Sequence, residues 1–567
     1  MKFPSWLWAE LSLVTSTTAR NLRDNPQGFL LLVARRFAPG GRRRLPVGGR
    51  GVPGALAAYL ADRPEAAAAA LRGRRVGWRP ADRVAARLAV EVGAPEGVPS
   101  RLRDDPRVLA DQAWAVGDLS RAVALLAGSR GLAARRRVSE LRLLQPGFRL
   151  EAGTAPPRPD ADRSRVLHIL TNSLPHTRSG YTARTHAILR ACRDAGLVVA
   201  GVTRLGYPTT IGRLGARPVD VVDGISYHRL LAPSLPVDAA GRLTQQVRAL
   251  DALVAEFRPG VLHTTTDFTN ALITEALARR HGLPWVYEMR GQLELTWVAS
   301  RPEPLRAQAA DSERVRLLRA KEAELASAAD AVVVLSQVQA DDLVARGVAA
   351  GLILVAPNSI DTELLQHEVS PADGRRALGL PSEGVWAGTV SSLVDYEGLD
   401  TFLRALAEVR RGGVDLRGAI VGEGVSRPGL LDLAQDLGVA DAVVFPGRVS
   451  KADAVRWHEA LDVFVVPRRD TPVCRVVTPL KPVEAMALGR PVVASDLPAL
   501  CEVVKDAGVL VRAGDVAAWA AALAGLARDG DRRARCGSRG REIAAERSWQ
   551  HVADALVNAY RKGKTHG

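Results

Sequence analysis

The sequence predicts an α/β chain in which two doubly wound domains face one another and follow an α-helical N-terminal region. Short β-rich runs alternate with helical stretches from Val166 onward, which is typical of parallel sheets with right-handed crossovers. These runs fall into two sets of six, so we expect two sheets. Residues 51–150 are instead rich in Ala, Leu and Arg, a composition that favours helices.

The predicted strands are short and regularly spaced. The first set is Val166–Thr171, Leu197–Thr203, Val261–Thr264, Trp285–Glu288, Ala331–Leu335 and Ile353–Ala356. The second set is Trp386–Val390, Leu416–Val421, Val443–Pro446, Val463–Val466, Pro491–Ala494 and Val509–Val511. Ligands of such sheets bind beyond the carboxyl ends of the strands, so the sequence predicts a site in the cleft between the two domains.

The helical region is predicted to contain Ala55–Arg72, Ala81–Val92, Pro106–Gly117 and Leu119–Leu126. The stretch Trp114–Ala122 resembles the Gly-Asp turn between the paired helices of tetratricopeptide-like repeats, although no second copy follows at a fixed period. Such a region could bind a protein partner. Ala152–Arg165 contains several prolines and charges and is interpreted as a linker.

Composition narrows the class of protein. The chain has 567 residues, of which 47% are apolar, enough for about three domains. Its four cysteines are scattered and form no CxxC pair, so neither a zinc site nor a disulfide framework is indicated. The sequence contains no apolar run of ~18 residues and no signal-peptide pattern. We therefore expect a cytoplasmic protein.

The positive charge lies mainly near the N-terminus. The formal net charge is +16, and residues 1–162 contain 27 Lys and Arg against 15 Asp and Glu. Trp6 and Trp8, the apolar stretch Gly28–Phe37 and the cluster Arg42–Arg44 together could seat the chain on an anionic membrane surface, at the inner face of the cell membrane. The alternative is a packed helix with a solvated basic loop. No recognised nucleic-acid-binding module accompanies the arginines, so nucleic acid is not expected as a partner.

A lysine at the start of a short helix is the strongest local signal for a ligand. Lys481 precedes the predicted helix at Val483–Leu488, and Glu484 lies in its first turn. A cation and free N–H groups suit a diphosphate, whereas a carboxylate can accept hydrogen bonds from two vicinal hydroxyls of a ribose. The alternative for Glu484 is a purely local interaction with the helix dipole.

Other loops follow strand ends and could contribute to the same cleft. Ser179-Gly180-Tyr181 opens a helix after the first strand, and Glu288-Met-Arg290 ends the fourth. In the second set, Gly422-Glu423-Gly424 and Gly447-Arg448 follow strands, and glycines there permit close approach of a ligand. Each loop alone is also ordinary turn chemistry, and Glu288 with Arg290 could be a structural ion pair.

Taken together, these motifs resemble the retaining glycosyltransferases of family 4. The segments that carry the resemblance are APNSID (Ala356–Asp361), YEGLD (Tyr396–Asp400), VGEG (Val421–Gly424), FPGR (Phe445–Arg448) and PLKPVEAMA (Pro479–Ala487), in that order. The segments SGYTARTHAILRA and YEMRG are similar to a subgroup that is linked to surface polysaccharide assembly. The resemblance covers about Val166 to Tyr560.

The resemblance implies two facing Rossmann-like domains, the GT-B architecture. The expected divisions are residues 1–50, 51–150, 163–357 (acceptor side), 358–545 (sugar-donor side) and 546–567, the last including a helix that crosses back to the first domain. The implied substrates are a UDP- or GDP-sugar and a glycan or lipid-linked acceptor. No cofactor or metal is expected.

The resemblance also implies roles for individual residues. Residues expected at the sugar donor are Glu484 at the ribose, the loop Thr478, Pro479, Leu480 and Lys481 at the diphosphate, Gly422, Glu423, Gly424, Gly447 and Arg448 at the base, and Ser391 and Ser392. Ser179, Gly180 and Tyr181 are expected near the phosphate or the acceptor. Lys481, Arg290 and His263 are the expected catalytic residues, with His263 or Thr265 beside the reacting sugar.

Three positions depart from the family pattern. The family usually has a second Glu where this chain has Val476, and an Arg and a Lys where it has Ser392 and Glu397. Because negative charge accumulates on a leaving diphosphate, other cations must replace them. Lys481 is the first candidate, followed by Arg290, Arg475 and Arg448. A non-catalytic nucleotide-sugar sensor or scaffold is the alternative function.

Overall fold

The computed structural model describes residues 5–24, 49–61, 63–72, 79–153 and 161–562. The stretch Gly28–Phe37 and the cluster Arg42–Arg44 lie outside these described residues. Within them, two parallel-rich sheets follow a helical N-terminal region. This confirms the predicted fold class.

The first domain is built on an eight-stranded sheet. Its strands are β1 Arg165–Leu170, β2 Val198–Thr203, β3 Val219–Val222, β4 Ile225–His228, β5 Val261–Thr265, β6 Trp285–Met289, β7 Ala331–Val334 and β8 Ile353–Val355. Their order is β3-β4-β2-β1-β5-β6-β7-β8. Every neighbouring pair except β3–β4 is parallel.

The antiparallel pair at the edge of this sheet was not among the predicted strands. β3 and β4 form a hairpin whose turn is Asp223-Gly224, with φ values of 48° and 77°. Two left-handed residues between short alternating runs are the signature of a type I′ turn. The dipeptide Asp223-Gly224 therefore signals a hairpin in the sequence. This signal was missed because it lies within a region of alternating strands and helices.

The second domain is built on a six-stranded parallel sheet. Its strands are β9 Val385–Val390, β10 Leu416–Val421, β11 Val443–Gly447, β12 Val463–Val466, β13 Val492–Ser495 and β14 Gly508–Val511, in the order β11-β10-β9-β12-β13-β14. The order reverses between β9 and β12. The carboxyl ends of these central strands are where the topology of such a sheet leaves room for a ligand.

Helices cover both sheets and form the N-terminal region. The described helices are α1 Ser5–Asp24, α2 Gly51–Leu60, α3 Pro64–Leu71, α4 Arg79–Glu91, α5 Pro106–Val116, α6 Leu119–Ala124, α7 Leu132–Leu144, α8 Gly180–Asp194, α9 Ala239–Phe257, α10 Phe268–His281, α11 Leu293–Ala299, α12 Arg306–Ala310, α13 Glu313–Ala328, α14 Gln337–Ala345, α15 Pro371–Ala377, α16 Leu399–Arg411, α17 Arg427–Asp436, α18 Lys451–Ala460, α19 Pro472–Val476, α20 Lys481–Ala487, α21 Pro498–Val504, α22 Val516–Arg528, α23 Gly530–Ala545 and α24 Trp549–Lys562. The helix predicted at Ala55–Arg72 is two helices, since a proline disfavours helix at the residue before it.

The last helix, α24, returns to the first domain. Trp549, Leu556 and Tyr560 are buried in one cluster with Val166 and Ile188 of the first domain. Helix α24 therefore packs against the first domain and ties the two domains together by burying apolar surface.

The helical region packs on the first domain through alternating arginine and tryptophan side chains. Trp114 lies between the guanidinium groups of Arg137 and Arg314, at 5.4 and 4.7 Å from its ring centroid. Trp297 lies between Arg314 and Arg301, each at 5.1 Å. We call these five residues the Arg–Trp stack. The contact between Arg314 and Trp114 crosses the interface and is of a kind that contributes about 0.5–2 kcal/mol.

The first helix, α1, is anchored to the first domain by a buried carboxylate. Glu10 is 2% exposed and accepts hydrogen bonds from Thr209 Oγ1 and Gly215 N. Trp8 and Leu11 of the same helix are 63% and 49% exposed. No described helix is long and apolar enough to cross a membrane. Contact with an anionic membrane surface stays a prediction, as does a protein partner for the helical region.

One buried carboxyl of the first domain makes stability depend on pH. Burial, with Asp267 and Glu294 nearby, raises the pKa of Glu322 to about 8. Its oxygens accept hydrogen bonds from Phe268 N at 3.0 Å and from the Tyr287 hydroxyl. The folded state therefore retains a proton that the unfolded chain releases above its ordinary pKa of about 4.3.

The replacement Glu322→Gln is expected to flatten this dependence. Because the folded pKa is raised, the wild-type free energy of unfolding falls as pH increases from about 4.5 to 8, by at most ~1.4 kcal/mol per pH unit from this group. The amide mimics the neutral acid, so the variant should gain stability over wild type at pH 8 and little at pH 5. Denaturant titrations at both pH values measure this. The exposed Glu368→Gln is the control, and an equal effect of E322Q at both pH values would contradict the prediction.

Candidate functional site

Four loops meet at the carboxyl edge of the second sheet. Because β11, β10, β9 and β12 are parallel neighbours, the residues that follow them lie side by side. Gly422 N donates to Gly447 O at 3.0 Å, and Ser391 N donates to Val421 O at 2.9 Å. The structure thus brings together three of the loops that the sequence predicts at a sugar donor. Ser392, Glu423 and Arg448 of these loops are exposed.

Two glycines in these loops leave no room for a side chain. A Cβ on Gly422, whose φ is 143°, would lie 1.8 Å from Ser391 O, and one on Gly424 would lie 2.0 Å from Leu393 O. Both contacts are with backbone, which cannot rotate away. The two glycines therefore allow the loops after β9 and β10 to pack closely against each other.

The replacement Gly424→Ala is expected to destabilise the second domain and to reduce binding of any ligand at this edge. The clash with Leu393 O must push the two loops apart, and overpacking of this kind typically costs about 1–3 kcal/mol. Gly429→Ala, in helix α17 with nothing within 4 Å of the new Cβ, is the matched control and should be neutral or stabilising by up to about 1 kcal/mol. Denaturant titration compares them, and equal stabilities of the two variants would contradict the steric argument.

The loop before α20 is held from both domains. The Thr478 carbonyl accepts from Asn358 Nδ2 at 3.1 Å, and the Val477 carbonyl accepts from Arg468 Nη1 at 2.9 Å. The side chain of Leu480 packs against the cluster formed by the first domain and α24. Leu480 therefore contributes packing between the domains, and Pro479 lies partly buried between these anchors.

Arg468 is a candidate site residue that was not predicted from the sequence. It lies two residues after the end of β12, and its guanidinium bonds the carboxylate of Glu397 at 2.8 Å. Although burial opposes its charge, Glu397 raises the pKa of Arg468 above its ordinary value. The loop after β9 thus carries a carboxylate at Glu397, and the cation that pairs with it lies in the loop after β12. The unexpected Glu397 was the available signal, because a carboxylate in a buried loop requires a cation.

Lys481 and Glu484 begin helix α20 and bond each other. Lys481 Nζ lies 2.8 Å from Glu484 Oε2, and the two side chains are 37% and 22% exposed. Both charged groups are thus accessible at the edge described above. Arg475, another of the candidate cations, is paired with Asp470 and about half exposed.

A buried charged network lies in the first domain, around the end of β6. Glu288 is fully buried and bonds Arg184 at 2.7 Å and also Arg290. Burial opposes the ionisation of Glu288, but the two guanidinium groups outweigh it and hold its pKa well below the ordinary value. Arg184 also donates to the carbonyls of Ala356 and Pro357, which begin the connection between the domains.

His263 belongs to this network and has no surface in the cleft. It is fully buried, with Nδ1 2.7 Å from the Tyr560 hydroxyl and Nε2 3.4 Å from Glu288. Burial lowers the pKa of His263, so the ring is neutral near pH 7. This position supports a structural role, in which His263 links β5 to α24. It does not support contact with a substrate. Neighbouring Thr265 is likewise buried.

Arg290 is also largely buried but stands next to the open loop at the start of α8. It is 4% exposed and donates to Tyr181 O and to Thr185 Oγ1, at 2.8 and 2.6 Å. Ser179 caps α8 through Thr182 N, whereas Gly180 has open space at its Cβ position and Tyr181 is 54% exposed. Arg290 thus fixes a loop whose own residues face solvent.

Asn358 joins the two halves of the site. Its Oδ1 accepts from Arg184 Nη1 at 3.3 Å, and its Nδ2 donates to the Thr478 carbonyl. A continuous path of hydrogen bonds therefore runs from Glu288 in the first domain to the loop before α20 in the second. The members of this path are far apart in sequence: Arg184 and Asn358 are 174 positions apart, and Asn358 and Thr478 are 120 positions apart.

Comparisons with known proteins agree with this geometry. Residues 179–359 match the family described as "Glycosyl transferase 4-like domain" and residues 384–529 match "Glycosyl transferases group 1". The two matched segments contain Ser179 to Asn358 and Ser391 to Glu484, which are the two sides of the site.

Curated relatives share about a third of the aligned residues. A D-inositol 3-phosphate glycosyltransferase of Stackebrandtia nassauensis is 33% identical over 222 residues, covering 37% of this chain and 48% of the relative. The enzyme of that name from Saccharomonospora viridis is 34% identical over 254 residues, covering 42% and 57%. The chain thus spans about half the length of the curated relatives it matches.

Solved structures share the fold. Sucrose-phosphate synthase from Thermosynechococcus elongatus has a TM-score of 0.57 at 21% identity, over 70% of this chain and 98% of its own. Anabaena HepE in complex with UDP has a TM-score of 0.55 at 18% identity, with the same coverage. At these identities the likeness concerns the fold alone.

Proposed function

Since this chain belongs to the family 4 glycosyltransferases, we propose that it transfers a sugar from a nucleotide-diphosphate sugar to a glycan or lipid-linked acceptor, with retention at the anomeric carbon and in the assembly of a cell-surface polysaccharide. The observation that carries the proposal is the edge of the second sheet. There, three loops with glycine or serine at their tips lie side by side, and helix α20, which follows β12 of the same sheet, begins with an accessible lysine and glutamate, Lys481 and Glu484.

The chemistry of these two side chains suits the two polar parts of a nucleotide sugar. An ammonium group can face a diphosphate as its negative charge grows during cleavage of the glycosidic bond. A carboxylate can accept hydrogen bonds from both ribose hydroxyls. Anabaena HepE, which shares the fold, was solved with UDP and with UDP-glucose. This makes UDP-sugars the first donors to test, with GDP-sugars next.

The proposed reaction needs no general base from the protein. The acceptor hydroxyl attacks the anomeric carbon on the face from which the diphosphate departs, and the bond from that carbon to the diphosphate oxygen breaks. The proton of the hydroxyl passes to a phosphate oxygen. The protein binds and orients both substrates, supplies the cation at Lys481, and excludes water when the domains close on them.

A thermal-shift screen followed by a transfer assay tests this proposal. A ligand that binds only the folded state must raise Tm, so UDP- or GDP-sugars should do so with and without EDTA. Transfer is then measured with lipid-linked glycans and, because of the names of the relatives, with inositol 3-phosphate. Absence of binding to any nucleotide sugar would overturn the proposal.

A second function is favoured by Ser392 and Glu397, which replace the two usual cations of the family. On that basis the chain would bind a nucleotide sugar without turning it over, as a sensor or scaffold. Binding in the thermal-shift screen, with neither transfer nor donor hydrolysis by the full chain, would select this alternative.

A further inference from the structure

The ion pair at the start of α20 occupies the two groups that the proposed sugar donor requires. Lys481 Nζ and Glu484 Oε2 are 2.8 Å apart. In this arrangement the ammonium group neutralises the carboxylate within one helical turn. A diphosphate that draws Lys481 toward itself must therefore leave Glu484 without its partner, and an uncompensated carboxylate in a closing cleft is costly.

A buried histidine lies behind Glu484 with no hydrogen-bond partner of its own. His458, on α18, has a side chain only 2% exposed and stacks on Phe464, with ring centroids 5.0 Å apart. Neither ring nitrogen makes a hydrogen bond, although both are buried. Its Nε2 lies 3.7 Å from Glu484 Oε2, which is too long for a hydrogen bond.

Such a group is unusual and costs stability. A buried polar atom without a partner typically costs about 1–3 kcal/mol, and native proteins retain few of them. Burial, then Lys481 and Arg490, hold the pKa of His458 well below its ordinary value. The ring is therefore neutral near pH 7 and carries one N–H. A shift of about 1 Å by the Glu484 carboxylate would bring it within hydrogen-bond distance of that ring.

We propose that His458 is the alternate partner of Glu484: when a nucleotide diphosphate draws Lys481 away, the Nε2–H of His458 donates to the Glu484 carboxylate and keeps it directed at the ribose hydroxyls. His458 is then a positioning residue, since it acts on the ligand only through Glu484. The inference rests on the proposed function, because it assumes that a nucleotide diphosphate binds at this edge.

Comparison of two ligands on three forms of the protein tests the inference. The ligands are UDP or GDP, whichever binds the full-length wild type, and its 2′,3′-dideoxy analogue, which lacks the hydroxyls that Glu484 would bind. We expect the wild type to bind the dideoxy analogue ~10-fold more weakly or worse. His458→Leu should weaken binding of the natural ligand by a similar factor, and leave Kd for the analogue nearly unchanged.

His458→Gln supplies an N–H in nearly the same place, so this variant should still bind the natural ligand more tightly than the dideoxy analogue. It tests the inference even if H458L folds poorly. His551→Leu, on the exposed face of α24, is the matched control and should behave as wild type. Equal weakening of both ligands by H458L, weakening of neither, or loss of discrimination in H458Q would overturn the inference alone. Failure of the wild type to bind either nucleotide would overturn the proposed function and the inference with it.

Discussion

Replacement of Lys481 by methionine is expected to lower kcat/KM for sugar transfer by about 10²–10³-fold. Removal of one preorganised group that stabilises charge in a transition state has an effect of this size. The cations usual in the family are Ser392 and Glu397 here, and Arg468 is engaged by Glu397 and the Val477 carbonyl. Lys481 is an accessible cation that pairs with the ribose-binding candidate Glu484.

The measurement is initial-rate kinetics with the nucleotide sugar found by thermal shift. Lys562→Met, at the exposed end of α24, removes a lysine away from the cleft and should change nothing. K481M should lower kcat more than it raises KM, because the negative charge that Lys481 stabilises on the diphosphate grows as the glycosidic bond breaks. A K481M enzyme with wild-type kcat/KM would show that another group faces the diphosphate.

Replacement of Glu288 by glutamine is expected to destabilise the protein by about 3–5 kcal/mol, the usual cost of breaking a buried ion pair by removing one partner. The variant leaves the guanidinium groups of Arg184 and Arg290 with no carboxylate between them. Since Arg184 also holds the Ala356 and Pro357 carbonyls, the connection between the domains should loosen at the same time.

Denaturant titration followed by tryptophan fluorescence measures the effect. Asp432→Asn is the matched control, because it breaks the exposed pair Arg63–Asp432 at 2.9 Å and should cost less than about 1 kcal/mol. The pKa of Glu288 is held well below its ordinary value, so its stabilising contribution is present above the unfolded pKa and is lost only as pH falls through the lower folded one. A loss in E288Q no larger than that in D432N would contradict the network argument.

The strands were predictable because their signal is local. Twelve runs of buried β-formers, separated by helical stretches, recur in the structure within one or two residues of their predicted bounds. The hairpin β3–β4 was not predicted because its alternation of apolar and polar residues is short and because it lies between strands with a parallel pattern. Helix α7 was not predicted because its several arginines are typical of a solvated segment. In the structure one of them, Arg137, packs on Trp114.

The site was predictable only as a set of loops. Gly422, Gly447, Lys481 and Glu484 stand at strand or helix ends that any reading of the topology brings to one edge. The pairing of His263 with Tyr560, 297 positions later, depends on where α24 packs, which no local pattern records. His458 belongs to no sequence motif. It stands out because its buried ring nitrogens have no hydrogen-bond partner, and only the packed structure shows this.

The Arg–Trp stack has a consequence for how the chain folds. Trp297 lies on α11, whose residues Leu295 and Ala299 pack against the core of the second domain. Trp297 itself is covered by Arg314 and Arg301, and Arg314 in turn by Trp114 of the helical region. One seven-residue helix thus shares side-chain contacts with all three parts of the molecule. Residues 79–150 should therefore melt together with the two α/β domains, as one cooperative unit rather than as an independent appendage.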